Sequence, residues 1–269
     1  MPFVEIDNGY NIHYVEKGKG QSIVFLHGFL GSSWVFQDQV DFFSNNYRAI
    51  AIDHLGHGNS DKPESDQYKI KDLANYVEQI VSKIIGNEKI VLIGHSMGGM
   101  IAQEYAYSKF SKRLQGLVLM STTPKFHNIA MDQYRDDILS AKEELPIVEK
   151  DVVEMFIEAF FHRRYRKAHP EFIEEFTKKT LEIKNFIGFR TVREVIKFDS
   201  LNKIAKISAP TLILTSDKDI LITPQDSEIL NEKIPNSKLV KFASRIGHYI
   251  QYEATIDFHK ELEQFLKTL

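Results

Sequence analysis

The chain has 269 residues, 43% of them hydrophobic and 26% charged, with a formal net charge of -3 at pH 7. That length suits one large α/β domain or a core carrying an insertion, and the charge argues against nucleic acid or an anionic membrane as a partner. With Cys at 0, disulfides, thiolate catalysis and cysteine-based metal sites are excluded, which fits a cytoplasmic home. The opening stretch MPFVEIDNGY holds two acids and no apolar core, so it does not read as a secretory signal, and no apolar run reaches membrane-spanning length.

The predicted elements begin with residues 3–6 and 11–16, separated by Asp7-Asn8-Gly9. Asn-Gly between alternating segments signals a hairpin. Residues 22–26 (SIVFL) form a continuous apolar run, hence a strand buried on both faces, and end in His27-Gly28-Phe29-Leu30-Gly31 before a helix with Trp34, Phe36 and Val40. Residues 48–52 predict the next strand, closing in Asp53-His54-Leu55-Gly56-His57-Gly58-Asn59-Ser60. The spacing of Ile70, Leu73, Ala74, Val77, Ile80, Val81 and Ile84 predicts an amphipathic helix over 70–85.

Residues 90–94 (IVLIG) are the next buried strand, and a helical pattern starts at Met97. Between them lies Gly94-His95-Ser96-Met97-Gly98, a G-x-S-x-G. A strand reversing straight into a helix forces the serine into a strained conformation, and side chains two residues to either side would collide, so glycine is required there. The hydroxyl then projects at the carboxyl edge of the sheet, where the new helix aims its first N–H groups. Residues 114–120 (LQGLVLM) form a further strand.

The alternation breaks at Pro124, and up to about Asp199 the pattern is helical and rich in aromatics, with breaks near Pro146 and Pro170. The expected organisation is a core of residues 1–123 and 200–269 with a helical cap at 124–199 that roofs an apolar pocket. The basic tract 162–167 (HRRYRK) reads as a solvated helix end. The alternation resumes at residues 210–215 (PTLILT), followed by Ser216-Asp217-Lys218-Asp219, a helix after Pro224, a strand at 238–242, and Ser244-Arg245-Ile246-Gly247-His248 before the closing helix. Asp217, Asp219 and His248 thus all follow strands, where doubly wound sheets place catalytic groups. The predicted fold is α/β, a mostly parallel central sheet flanked by helices.

The chain resembles the α/β-hydrolase superfamily along essentially its whole length: HGF after an early strand, D-x-x-G-H-G-x-S after the next, GHSMGG at the elbow, PTLIL-x-S-D-K-D, and a terminal GHYIQYE. The order Ser96, Asp219, His248 is that family's order of nucleophile, acid and histidine. The resemblance implies Ser96 as nucleophile, His248 as general base, Asp219 as the acid that orients it, and the backbone N–H groups of Phe29 and Met97 as oxyanion donors. Relatives usually have glycine where Ser216 stands, in a G-x-x-D pattern that selects Asp219 over Asp217. In the same light His27 supports the oxyanion loop, His54 and His57 belong to a structural turn rather than a metal site, and His95 packs beside the serine. No cofactor and no metal are expected.

Within the superfamily, haloalkane dehalogenases and epoxide hydrolases use an aspartate at the elbow, which Ser96 excludes. Nothing specific supports a hydroxynitrile lyase, or a serine-type perhydrolase, which typically carries proline where this chain has Leu30. The expectation is a carboxylesterase, monomeric or homodimeric, acting on small-molecule esters of small to medium acyl chains. One alternative is a carbon–carbon hydrolase of the meta-cleavage-product type, because GHYIQYE resembles that group's G-H-W-x-Q-W-E ending, although that group often has asparagine where His95 stands. An enol-lactonase is another, and a hydrolase-like receptor or signalling module the non-enzymatic one.

Overall fold

The computed structural model describes residues 2–64, 68–127, 129–243 and 245–269, so Ser244 at the head of the closing segment lies outside the described residues. Its centre is a sheet of β1 (Phe3–Glu5), β2 (Asn11–Lys17), β3 (Ser22–Leu26), β4 (Arg48–Ile52), β5 (Ile90–His95), β6 (Leu114–Met120), β7 (Thr211–Ser216) and β8 (Ser237–Phe242), in the order β1-β2-β4-β3-β5-β6-β7-β8. The first hairpin pairs antiparallel and β2 pairs antiparallel with β4, while all later pairings are parallel. β3 and β5 are buried at every residue, as expected of inner strands covered on both faces. The edges differ from the middle. β1 has only 3 residues, and β8 carries exposed Lys238 and Lys241, paired with Glu261 and Glu228.

The core helices α1 (Gln37–Phe43), α2 (Ile70–Ile85), α3 (Met97–Tyr107), α9 (Pro224–Lys233), α10 (Ile250–Glu253) and α11 (Thr255–Leu266) connect or follow the strands. α2 buries Leu73, Ala74, Val77, Ile80 and Val81, the face its spacing defines. The helix expected around Trp34 begins instead as a 3-10 turn over Ser33–Phe36 before α1. There the buried Asp53 carboxylate takes the Ser33 N–H at 2.5 Å, which pins the entry to the turn.

Between β6 and β7 run α4 (Ile129–Ser140), α5 (Lys150–Phe160), α6 (Arg163–Ala168), α7 (Pro170–Leu181) and α8 (Asn185–Lys197). The ends of this stretch meet: Lys125 and Asp199 form an antiparallel bridge and a 2.9 Å ion pair, and the Ser200 N–H donates to the Pro124 carbonyl at 2.7 Å. Pro170 opens α7, where its missing N–H costs no helical hydrogen bond. Phe156, Phe160, Phe161, Phe176 and Phe189 of these helices are buried in the same continuous apolar core as the sheet. Among the described residues no helix is long and apolar enough to cross a membrane.

Candidate active site

Ser96 stands between β5 and α3 with φ 53° and ψ -118°, a left-sided conformation that costs a non-glycine residue roughly 1–3 kcal/mol. The neighbouring glycines allow it. A Cβ on Gly94 would lie 2.4 Å from the Gly98 carbonyl oxygen, and one on Gly98 would lie 2.1 Å from that of Leu26. Gly28 is constrained in the same way, since its Cβ would meet Ser96 Cβ at 3.0 Å. The turn is further held by Ser96 N–H to the Met120 carbonyl at 2.9 Å and by Thr122 Oγ1, which donates to the Ser96 carbonyl at 2.8 Å.

Ser96 is partly exposed and lines a cavity of about 40 Å3 together with Phe29, Met100, Phe126, Phe156, Phe160, Val192, Val195, Leu221 and Ile222. The wall is apolar apart from the serine. Met97 begins α3, so its N–H is one of those a helix leaves without an internal partner, and the dipole end adds to its pull on negative charge. Phe29 is half-buried, its ring edge-on to Phe156 at 5.6 Å.

His248 and Asp219 are both buried, with Nδ1 of the imidazole 2.7 Å from Asp219 Oδ2. An ionised carboxylate can only accept, so Nδ1 carries the proton and Nε2 is left as the basic nitrogen. The second carboxylate oxygen accepts the N–H groups of Leu221 and Ile222, each at 2.9 Å, which fixes its orientation. Asp217 is exposed and its own N–H goes to the Phe242 carbonyl, so Asp219 is the acid beside the histidine.

The histidine loop is held by contacts that neighbouring sequence does not reveal. His95 Nε2 lies 3.1 Å from the His248 carbonyl, to which it donates, and the two rings stand 4.7 Å apart. Ser216 donates its hydroxyl to the Gly247 carbonyl at 2.6 Å, a bond that a glycine at that position could not make. His248 N–H donates to the Phe160 carbonyl at 2.9 Å, and the Phe160 ring stacks on His248 at 5.9 Å. Glu253 accepts the N–H of Gly247 at 3.0 Å and that of His162 at 3.1 Å.

Under the loop that follows β3 the histidines form a packed polar cluster. His27 Nδ1 donates to the Gly28 carbonyl at 2.8 Å while its Nε2 accepts the His54 N–H at 3.0 Å, which specifies one neutral tautomer. His54 Nε2 reaches the His27 carbonyl at 3.2 Å. Burial, reinforced by neighbouring imidazoles, holds His27, His54 and His95 well below the usual histidine range, and burial brings His57 down to about 4. Among the described residues no group of three or more His, Asp or Glu side chains is arranged to hold a metal ion.

A larger recess of about 350 Å3 lies beside Trp34, Asp53, Lys62, Phe176 and Lys179, but it includes none of Ser96, Asp219 and His248. Ser96 lines the smaller cavity, and so does Phe160, whose ring stacks on His248, which makes that cavity the candidate site.

The profile of the family described as "alpha/beta hydrolase fold" matches residues 21–255. A proline iminopeptidase of Saccharolobus solfataricus is 27% identical, the match covering 96% of this chain and 89% of the relative. Among solved structures, Est816, described as an N-acyl homoserine lactone degrading enzyme, is similar with a TM-score of 0.81 and 26% identity over 98% of this chain and 100% of its own. A thermophilic esterase from Thermogutta terrifontis has a TM-score of 0.87 at 22% identity, covering 100% and 99%; that likeness speaks for the fold alone.

Proposed function

The chain belongs to the alpha/beta hydrolase fold family, and from that premise we propose that it is a serine hydrolase that cleaves carboxylic esters of short acyl chains through an acyl-enzyme. The observation that carries this reading is the strained serine at the wall of an apolar cavity, with a buried histidine, held in one tautomer by a carboxylate, stacked on the Phe160 ring of that same wall. In the proposed cycle His248 Nε2 takes the Ser96 proton as Oγ bonds to the ester carbonyl carbon. The carbonyl oxygen becomes an oxyanion, which the N–H groups of Phe29 and Met97 stabilise. As the C–O bond to the alcohol breaks, the imidazolium gives its proton to the leaving oxygen. Water then attacks the acyl-enzyme, again losing a proton to His248. The acid leaves and Ser96 regains its proton.

In this reading the helices between β6 and β7 act as a cap and supply the acyl wall through Phe126, Phe156, Phe160, Val192 and Val195. A volume of about 40 Å3 has room for about three water-sized groups, which suits an acetyl-sized acyl group. The test is hydrolysis of p-nitrophenyl esters from acetate to decanoate, with Ser96→Ala as the control. The expected outcome is highest kcat/KM at the short end, with burst release and fluorophosphonate labelling both lost in Ser96→Ala. Near-wild-type turnover by Ser96→Ala would overturn the mechanism.

A second reading, lactone hydrolysis, uses the same acyl chemistry within one ring and is favoured by the likeness to Est816. A five-membered N-acyl lactone in the same screen separates the two.

A further inference from the structure

Glu253 ends α10, and its carboxylate spans a seam between two parts of the molecule. On one side it accepts the N–H of Gly247, the residue before His248, at 3.0 Å. On the other it accepts the N–H of His162, which caps α6, with Oε2 at 3.1 Å and Oε1 at 3.3 Å. The seam is tight. A Cβ on Gly247 would stand 2.8 Å from both Glu253 Oε1 and the His162 nitrogen, and 3.1 Å from the Phe160 carbonyl oxygen.

The same short segment governs the cavity. Phe160 lines the wall opposite Ser96, stacks on His248, and accepts the His248 N–H through its carbonyl. Phe160 ends α5 two residues before His162, so an outward shift of that end would enlarge the 40 Å3 void and draw the His162 N–H away from Glu253. We propose that Glu253 is a positioning residue that latches the helical cap over Ser96 and, with the same carboxylate, fixes the loop carrying His248. This rests on the hydrolytic reading of that pair given above.

The latch is linked to protons. The titratable and charged groups about it are Asp217, Lys218 and Asp219 after β7, His248 and Arg245 on its own loop side, and His162, Arg163 and Tyr165 on the cap. Burial raises the carboxyl to about 7, with Asp219 adding to the rise and the two N–H donors opposing it. Opening the seam hydrates the group and returns it toward its ordinary value of 4.5. The closed form therefore binds the proton more tightly. Closure is favoured at low pH and loses ground as pH rises from 4.5 to about 7, by about tenfold between about pH 6 and about pH 8.

The molecule carries its own reporter. Trp34, its only tryptophan, sits on the core side, stacked on Phe172 at 5.6 Å and edge-on to Phe176 at 5.8 Å, both in α7 of the cap. The experiment is a titration of Trp34 emission from pH 5 to 9 in the wild-type protein, in Glu253→Gln and in His162→Pro. The proline removes the N–H on the cap side together with the imidazole that accepts the Arg164 N–H at 3.2 Å, so His162→Ala, which keeps the N–H, is its control and should retain the transition. Residue 162 already has φ -58° after an extended Phe161, so the backbone need not change. The expected result is a wild-type transition near pH 7 that disappears in both variants, with His162→Pro showing the high-pH emission throughout. In parallel, the wild-type KM for a long-chain ester should fall about tenfold between pH 6 and 8, and Glu253→Gln should flatten it. A wild-type emission without a transition, or one that persists unchanged in both variants, overturns the latch. The emission titration uses no substrate, so a protein that turns over no ester would refute the esterase reading and leave the latch test intact.

Discussion

Serine 96 and histidine 248 lie far apart in the chain, and the choice of carboxylate between them is a matter of single-residue exposure. Asp219 is 4% exposed and bonded through both oxygens, whereas Asp217 faces water. Asp219→Asn is expected to lower kcat by about ten-thousand-fold, because an amide can present N–H to Nδ1 and favour the wrong tautomer. Asp217→Asn should stay within about threefold, an exposed side chain being worth little; kcat for p-nitrophenyl acetate measures both, and the reverse ranking would move the acid. Sequence alone left both acids open on residue grounds, since each follows β7, and only the family's G-x-x-D pattern favoured one. The elbow was legible because everything that makes it is contiguous: a strand, a small turn and a helix, with glycines where the Gly98 and Leu26 carbonyls come closest. His95, Ser216 and Glu253 were not legible as supports of the histidine loop. The partners of His95 and Ser216 lie 153 and 31 residues away along the chain, and although Glu253 reaches Gly247 across 6 residues, its tie to His162 spans 91, which no local pattern encodes.

At the scale of elements, the strand–helix alternation can be read from buried apolar runs, and the break after Pro124 from the loss of them. The size of the space between α5, α8 and the elbow could not be read, because it depends on how rings interlock rather than on which rings are present. Phe156 and Phe160 stack at 6.0 Å and Phe156 meets Phe29, so α5 presses directly on the loop that follows β3. Phe156→Ala removes one side of that contact. It should extend the preferred acyl chain, with each newly accommodated methylene gaining up to about 0.8 kcal/mol, roughly fourfold in kcat/KM. It should also lower stability by about 3 kcal/mol, at the gentle end for a buried phenylalanine because the ring borders a cavity. A chain-length profile and a denaturation midpoint read the two effects, and an unchanged profile would remove α5 from the acyl wall.

For the molecule as a whole, the buried histidines set the acid side of stability. His27, His54, His57 and His95 all have folded values below the ordinary 6.5, so the unfolded chain takes up protons first as pH falls, and stability is lost below about 6.5. For His57, with a folded value of about 4, the loss reaches on the order of 3 kcal/mol once pH falls below that value. Glu253 works the other way, its raised value favouring the folded state at low pH, but it is one group against four. The expected result is a Tm markedly lower at pH 5 than at pH 7.5, with His57→Gln reducing the difference; an equal Tm at both values would contradict it. The two margins of the sheet bear on a different property. A three-residue β1 at one side and the lysines of β8 at the other leave no long, uncharged ladder on which a second sheet could dock. A second molecule meeting either rim would find few main-chain partners at β1 and paired, hydrated charges at β8. A concentrated solution is thereby protected at both margins from the ribbon-like aggregation that open sheets invite.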